Sequence, residues 1–163
     1  MIYAAIKDLV DRFGETELVQ LSDRDGTGSI GAVVVNRALL DATAVADGYL
    51  GRVYQLPLVG CAKPVTVPGA APEVVCPPVL MRMVCDLARY YLYTDLADDH
   101  EVARRYKAAQ SDLAGIAAGK ILLSCPWGGT PGALLGDDAL QPSEVMHSFA
   151  PRQIGRDAEQ GYR

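Results

Sequence analysis

The sequence predicts a mainly α-helical bundle of about four helices, with a projecting arm and an extended C-terminal tail. Apolar residues recur at helical spacing in several segments before residue 120, and such periodic positions form the face that a helix buries. The stretch 55–78 holds six of the ten prolines, and the periodicity stops beyond Ile121. We therefore predict a helical domain over 1–120, with its arm at 55–78, and a tail over 121–163.

The central element is the helix predicted over 77–95. Two consecutive prolines suit its start, because proline has no N–H group to leave unpaired in the first turn. Apolar and aromatic residues cover nearly its whole circumference, and before its last two residues only Arg82, Asp86 and Arg89 are charged. Exposing half of these side chains would cost more than a domain's net stability of about 5–15 kcal/mol. We expect other helices or a neighbouring subunit to cover this helix, and the polar line to form an intrahelical or intersubunit ion network.

The other elements follow from periodicity and from helix end signals. They are a helix over 6–13 ended by Gly14, a short helix or turn over 16–21, a long amphipathic helix over 35–53, and a last helix capped by Asp98 and ended by Gly119. A loop as long as 55–78 is uncommon in a compact domain. Because Val65 to Val67 suit a short strand, we predict a hairpin whose prolines protect its open edge.

Composition limits the classes of function. The net charge is −5 and no Lys/Arg cluster occurs, so tight wrapping of nucleic acid is not expected. No apolar run reaches the roughly 18 residues of a membrane span. The first residues lack the features of a signal peptide, so we expect a cytosolic product.

The four cysteines, at positions 61, 76, 85 and 125, match no zinc or redox spacing. Their even number is compatible with disulfides, but a cytosolic chain favours buried or loop thiols. We predict free thiols.

The stretch 22–31 contains two motifs with a possible ligand. Gly26 to Gly31 matches a dinucleotide fingerprint, but a helical segment stands where a strand should precede it. Asp23, Asp25 and Thr27 fit the first ligands of a calcium loop, whereas its twelfth position is Val34 instead of a bidentate Glu. We interpret the stretch as a turn in which aspartate binds its own backbone. A small calcium-binding regulatory module is the alternative function.

No residues in the sequence combine into a catalytic site. His100 and His147 have no ligand spacing around them, and His100 at a helix start is expected to face solvent. Residues 115–121 are one residue short of a phosphate loop. Because a nucleophile, a base and an oxyanion hole are not assembled, we predict no enzymatic activity and no cofactor, with an unrecognised hydrolase site as the weakest alternative.

Several segments together resemble a known family. They are 3–25, the end of the long helix at 47–58, 85–93, and 106–120, together with a tail in which Arg152, Arg156 and Tyr162 form a basic and aromatic ending. These segments are similar to the Mu-like prophage family, small proteins of tailed phages that are similar to head-to-tail connector, or adaptor, proteins.

The resemblance implies a helical subunit of a virion. It would be made in the bacterial host cytoplasm and assemble at the head–tail junction into a ring below the portal protein. Such a ring, dodecameric if it follows the portal, continues the DNA channel without sequence-specific binding and contacts tail-side completion or tail proteins.

The predicted contacts of that assembly fall in two regions. A helix that is apolar nearly all round suits packing between subunits, and the tail is too apolar to remain free in water. The predicted subunit interface consists of Arg82, Val84, Leu87, Arg89 and Tyr91. The predicted docking residues of the tail are Trp127, Phe149, Arg152, Ile154, Arg156 and Tyr162.

Overall fold

The computed structural model describes residues 3–66 and 69–136. These residues form five helices and one two-stranded sheet: α1 (Ile6–Phe13), α2 (Glu15–Ser22), α3 (Ala32–Leu50), β1 (Cys61–Ala62), β2 (Val74–Val75), α4 (Pro78–Leu92) and α5 (Glu101–Ala117). The mainly α prediction is confirmed. The segment after Gly14, predicted as a helix or a turn, is a helix, and it brings the number of helices in the described residues to five.

Helix α4 is the centre of the bundle and packs between α3 and α5. Its side chains Leu80, Val84 and Leu87 are completely buried. The facing side of α3 presents small and medium apolar residues at the predicted spacing, among them Val35 and Ala42, both 0 % exposed. Other helices of the same chain therefore cover the central helix, which was the first of the two predicted possibilities.

The start of α3 lies unusually close to the end of α2. The Gly31 N–H group donates to Ser22 Oγ at 2.9 Å. A Cβ atom at position 31 would lie 2.2 Å from the carbonyl oxygen of Ser22, well inside contact distance. Glycine is therefore required here by the close approach of two backbone segments.

The cap of α5 differs from the prediction. The N-cap residue is His100, whose Nδ1 accepts from the N–H of Val102 at 3.2 Å. Asp98 pairs instead with Lys107 at 3.1 Å, because the helix begins at Glu101 and leaves Asp98 outside its first turn. At the other end Gly119 has a φ of +69°, and the next N–H group donates to the Gly115 carbonyl at 2.9 Å. This is a Schellman ending, which confirms the predicted stop.

The predicted arm contains a short hairpin. Strand β1 pairs with β2 in antiparallel register, with Cys61 opposite Val75. The predicted strand at Val65 to Val67 is wrong for its described residues, Val65 and Thr66, since the first strand ends at Ala62, and Val67 lies outside the described residues. Pro64 accounts for this, because proline has no N–H group to donate to a partner strand.

Among the described helices, none is both long and apolar enough to cross a bilayer.

Candidate assembly surface

The base of the arm, residues 53–62, lies beside the segment 121–136, here named the C-terminal segment. Three backbone hydrogen bonds of 2.7–2.8 Å connect them: Gln55 N–H to the Ala133 carbonyl, Gly60 N–H to the Pro131 carbonyl, and Leu135 N–H to the Val53 carbonyl. A β-bridge between Tyr54 and Leu134 lies among these bonds. The two segments thus form one layer outside the helices.

Tyr54 anchors this layer in the core. Its side chain is 0 % exposed, and its hydroxyl accepts from the N–H of Leu123 at 2.7 Å. Leu123 is itself buried. The described part of the predicted tail is therefore packed on the helical domain, because it supplies a buried side chain and backbone partners that the arm needs.

A disulfide joins the same two segments. Cys61 and Cys125 are bonded, with their Cα atoms 5.4 Å apart and a sequence separation of 64. The prediction of free thiols is wrong for this pair, because the fold brings together cysteines whose sequence spacing carried no signal. Cys76 and Cys85 are free and buried, as predicted. Burial raises the pKa of each thiol to about 12, so both are weak nucleophiles.

Exposed apolar side chains concentrate on this layer and on the hairpin. Of the ten large hydrophobic residues that are exposed in the described chain, seven lie there: Val59, Val65, Val74, Ile121, Leu122, Trp127 and Leu135. We name these seven residues the assembly surface. Val59 is 72 % exposed and Trp127 is 46 % exposed, and exposed large apolar side chains are candidates for contact with a partner.

Two residues of the predicted subunit interface do not reach the surface. Val84 and Leu87 are 0 % exposed, because α3 and α5 of the same chain cover them. They are therefore unavailable to a neighbouring subunit. Tyr91 is half-buried and packs edge-on against Tyr106, with ring centroids 6.0 Å apart.

The two arginines of the predicted interface bind acidic residues of their own chain. Arg82 contacts Asp112 at 3.2 Å and Asp86 at 3.8 Å, which joins α4 to α5. Arg89 binds Glu17 through two hydrogen bonds of 2.7 and 2.9 Å. The predicted ion network exists within one chain, and it extends from α4 to its neighbouring helices.

Asp86 is the buried acid of that network. Burial raises its pKa, while Arg105 and Arg82 oppose this effect. Its two ion pairs are long, at 3.8 and 3.9 Å. Their attraction therefore offsets only part of the free energy that the Asp86 carboxylate loses when it leaves water.

The stretch 22–31 is a turn in which Asp23 binds its own backbone, as interpreted from the sequence. The Asp23 carboxylate accepts from the N–H groups of Thr27 and Gly28 at 2.9 and 2.6 Å, and from the Thr27 hydroxyl at 3.2 Å. The N–H donors of Thr27 and Gly28 lower the pKa of Asp23. Two of the three candidate metal ligands, Asp23 and Thr27, thus form hydrogen bonds within the turn. No cluster of metal-ligating side chains occurs in the part of the chain that the structure describes.

A groove of about 620 Å³ lies between the segment 3–8 and β2. Lys7, Asp8 and the thiol of Cys76 line it, together with apolar residues. Tyr3, also in its wall, donates a hydrogen bond to Asp47. The raised pKa of Cys76 keeps its thiol protonated and makes it a weak nucleophile.

The remaining predicted docking residues, Phe149, Arg152, Ile154, Arg156 and Tyr162, lie outside the described residues. Trp127 is described and lies on the assembly surface. From the sequence, Trp127 was assigned to an extended tail that docks on a partner, and both the disulfide and the role of Tyr54 were missed. The one sequence signal that these two segments meet was the presence of a cysteine in each of them.

Comparison with known proteins identifies the family. The model of the family described as Bacteriophage Mu, Gp36 matches residues 3–133 of this chain. The chain belongs to the bacteriophage Mu Gp36 family. The match includes all five described helices of this Gp36 chain, its arm and most of its C-terminal segment. The resemblance to Mu-like prophage proteins is thereby confirmed.

Two relatives of the Gp36 chain come from a prophage and a phage. The Mu-like prophage FluMu protein gp36 of Haemophilus influenzae is 30% identical over 164 residues, covering 99% of each chain. Gene product J of Escherichia phage Mu is 33% identical over 93 residues, covering 56% of this chain and 55% of the relative. The first match runs nearly end to end, so it includes the residues that form the layer outside the helices in this chain.

Proposed function

We propose that this Gp36 chain is a structural virion protein that joins the phage head to the tail. Copies of the chain form a ring below the portal protein, and that ring continues the DNA channel toward tail-side proteins. Its action is mechanical, with no bond-making step. The observation that carries the proposal is the assembly surface, which remains apolar and exposed after the helical core is complete.

The assembly surface has the chemistry of a docking site. Removing apolar surface from water contributes about 25 cal/mol per Å², so seven exposed apolar residues represent a substantial unused stabilisation. Trp127 suits the centre of such a contact, because tryptophan is enriched among the residues that dominate binding energy. The ion pair of Lys63 and Glu73, with side chains 53% and 67% exposed, supplies a polar rim on the arm.

Self-association uses a different face from the predicted one. Val33 and Leu40 on α3 are 74 % and 53 % exposed, and their separation of seven residues places them on one side of the helix. This face replaces Val84 and Leu87 as the contact between neighbouring subunits. The net charge of −5 then allows DNA to pass without being held by the ring.

The test is co-purification with the portal protein of the same phage genome. A tagged portal is expected to retain the wild-type chain and to show an added ring in negative-stain images. The double variant Trp127→Ala, Leu122→Ser is expected to lose at least about ten-fold in retention, because both residues belong to the assembly surface. Ser124→Ala, exposed in the same segment, is the matched control. Equal retention of the double variant and the control would refute this role of the surface.

A deletion tests the residues beyond the described chain. Removing 141–163 is expected to leave the helical domain folded, since the buried residues that form the described core lie between Tyr3 and Leu123. The same deletion should abolish attachment to the portal. A truncated chain with unchanged thermal unfolding and unchanged retention would contradict docking through this segment.

A further inference from the structure

The turn 125–129 carries Trp127 between two anchored flanks. Leu123 is held by Tyr54 on one side, and Pro131 is held by Gly60 on the other. The two backbone hydrogen bonds of the turn close it on itself: Cys125 N–H to the Gly129 carbonyl and Gly128 N–H to the Cys125 carbonyl, each 3.0 Å. The Cys61–Cys125 bond connects this turn to β1.

We propose that the Cys61–Cys125 disulfide is a redox-controlled lock on the Trp127 turn. With both cysteines as thiols, the turn separates from the arm while its flanks stay in place. With the bond closed, Trp127 is fixed as part of the assembly surface. This inference rests on the proposed function, since the regulated surface is the one proposed to dock on the portal.

The burial of the two sulfur-bearing residues sets the direction of the exchange. Cys61 is 0 % exposed, whereas Cys125 is only partly buried. An incoming glutathione thiolate therefore attacks Cys125 Sγ, forms a mixed disulfide there, and expels Cys61 as a thiolate that takes up a proton. A second glutathione thiolate then attacks the glutathione sulfur and releases Cys125. The net change is one protein disulfide plus two glutathione thiols giving two cysteine thiols plus glutathione disulfide.

The two redox states correspond to two stages of a virion protein's life. Bacterial cytoplasm keeps thiols reduced, whereas the medium outside the cell is oxidising. The lock is thus open during synthesis and closes when glutathione disulfide or dissolved oxygen accepts the two electrons. The chain thus docks with its thiols reduced, and closing the lock after release from the cell fixes the docked surface in place, which strengthens the completed contact by reducing its ordering cost.

The first experiment tests the lock in the isolated full-length chain. The protein is equilibrated in excess reduced or excess oxidised glutathione, alkylated without denaturation, and analysed by mass spectrometry. Reduction is expected to expose Cys125 to alkylation at least about ten-fold faster than the buried thiols of Cys76 and Cys85. A bond that persists in excess reduced glutathione, or that fails to form in oxidised glutathione, overturns the proposal.

The single tryptophan provides an independent readout. Acrylamide quenching of Trp127 should increase up to about two-fold on reduction, because the side chain is 46 % exposed in the locked turn and approaches full exposure when released. Cys61→Ser should show the high value in both buffers, and Cys76→Ser should follow wild type. Redox-independent quenching in wild type overturns the proposed release.

Portal binding separates this inference from the proposed function. The oxidised wild type is expected to bind the portal about ten-fold more tightly than Cys61→Ser, with Cys76→Ser matching wild type. Equal affinity of oxidised wild type and Cys61→Ser overturns the regulatory role. Absence of binding in every form refutes the head–tail proposal instead, and the alkylation and quenching results then decide whether the lock exists.

Discussion

The ion pair of Arg89 and Glu17 should be the strongest of the described charge contacts, and its energy can be measured. Two hydrogen bonds of 2.7 and 2.9 Å connect the groups, and the side chains are only 15% and 22% exposed. The Tyr93 hydroxyl donates to the same carboxylate at 2.9 Å. This geometry fixes α2 against α4.

The expected coupling energy follows from partial burial. Exposed pairs contribute about 0.2–1 kcal/mol, and breaking a fully buried pair costs about 3–5 kcal/mol. A pair with about a fifth of its surface in water should lie between these values, near 2 kcal/mol. For a chain of this length, that energy corresponds to a shift of roughly 4–8 °C in thermal midpoint.

A double-mutant cycle isolates the pair. Glu17→Ala, Arg89→Ala and the double variant are compared with wild type by urea unfolding. The Arg89 guanidinium also lies 4.4 Å from the centre of the Phe13 ring, and that contact cancels because every variant at position 89 loses it. Lys63 and Glu73, 3.4 Å apart and largely exposed, form the control pair, with an expected coupling below about 0.5 kcal/mol. Equal couplings for the two pairs would refute the reasoning from burial.

Three further predictions concern the bundle, and urea unfolding of five variants checks them. Gly31→Ala should destabilise by about 2 kcal/mol or more, because its Cβ would meet a backbone carbonyl at 2.2 Å. Gly48→Ala in α3 adds an atom with nothing within 4 Å of it, so it should raise the free energy of unfolding by about 0.5–1 kcal/mol. A change of the same sign in both alanine variants would contradict this account. Leu87→Ala should lower the free energy of unfolding by about 2–5 kcal/mol, and Leu40→Ala by less than about 0.5 kcal/mol. Similar losses in the two variants would contradict the burial of Leu87. Burial raises the pKa of Asp86 above its ordinary value of 3.8, so the folded protein binds the proton more tightly than the unfolded chain does. The free energy of unfolding therefore falls as the pH rises from 3.8 through the pKa in the folded protein. Asp86→Asn should therefore be more stable than wild type at neutral pH and lose that advantage below 3.8, whereas a pH-independent difference would count against a buried charge.

Local patterns were sufficient for the helices. Apolar spacing in α3 and α4 predicted the buried faces of both, and the glycine after α5 predicted its end. Helical periodicity is a property of neighbouring residues, so it can be read without knowing what covers each face. The same locality explains why the turn at Asp23 was interpreted correctly, since its partners Thr27 and Gly28 lie within five residues.

The sequence by itself therefore determined a helical chain with an apolar central helix, a proline-rich arm, and membership of a phage family through its segment similarities. Only the tertiary structure decided that the chain covers Val84 and Leu87 itself, that Arg89 binds Glu17, and that Cys61 meets Cys125. Each of these outcomes joins positions far apart in sequence, where spacing carries no information. The exposed apolar surface is what remains after those long-range contacts have formed, so it could be located only on the folded molecule.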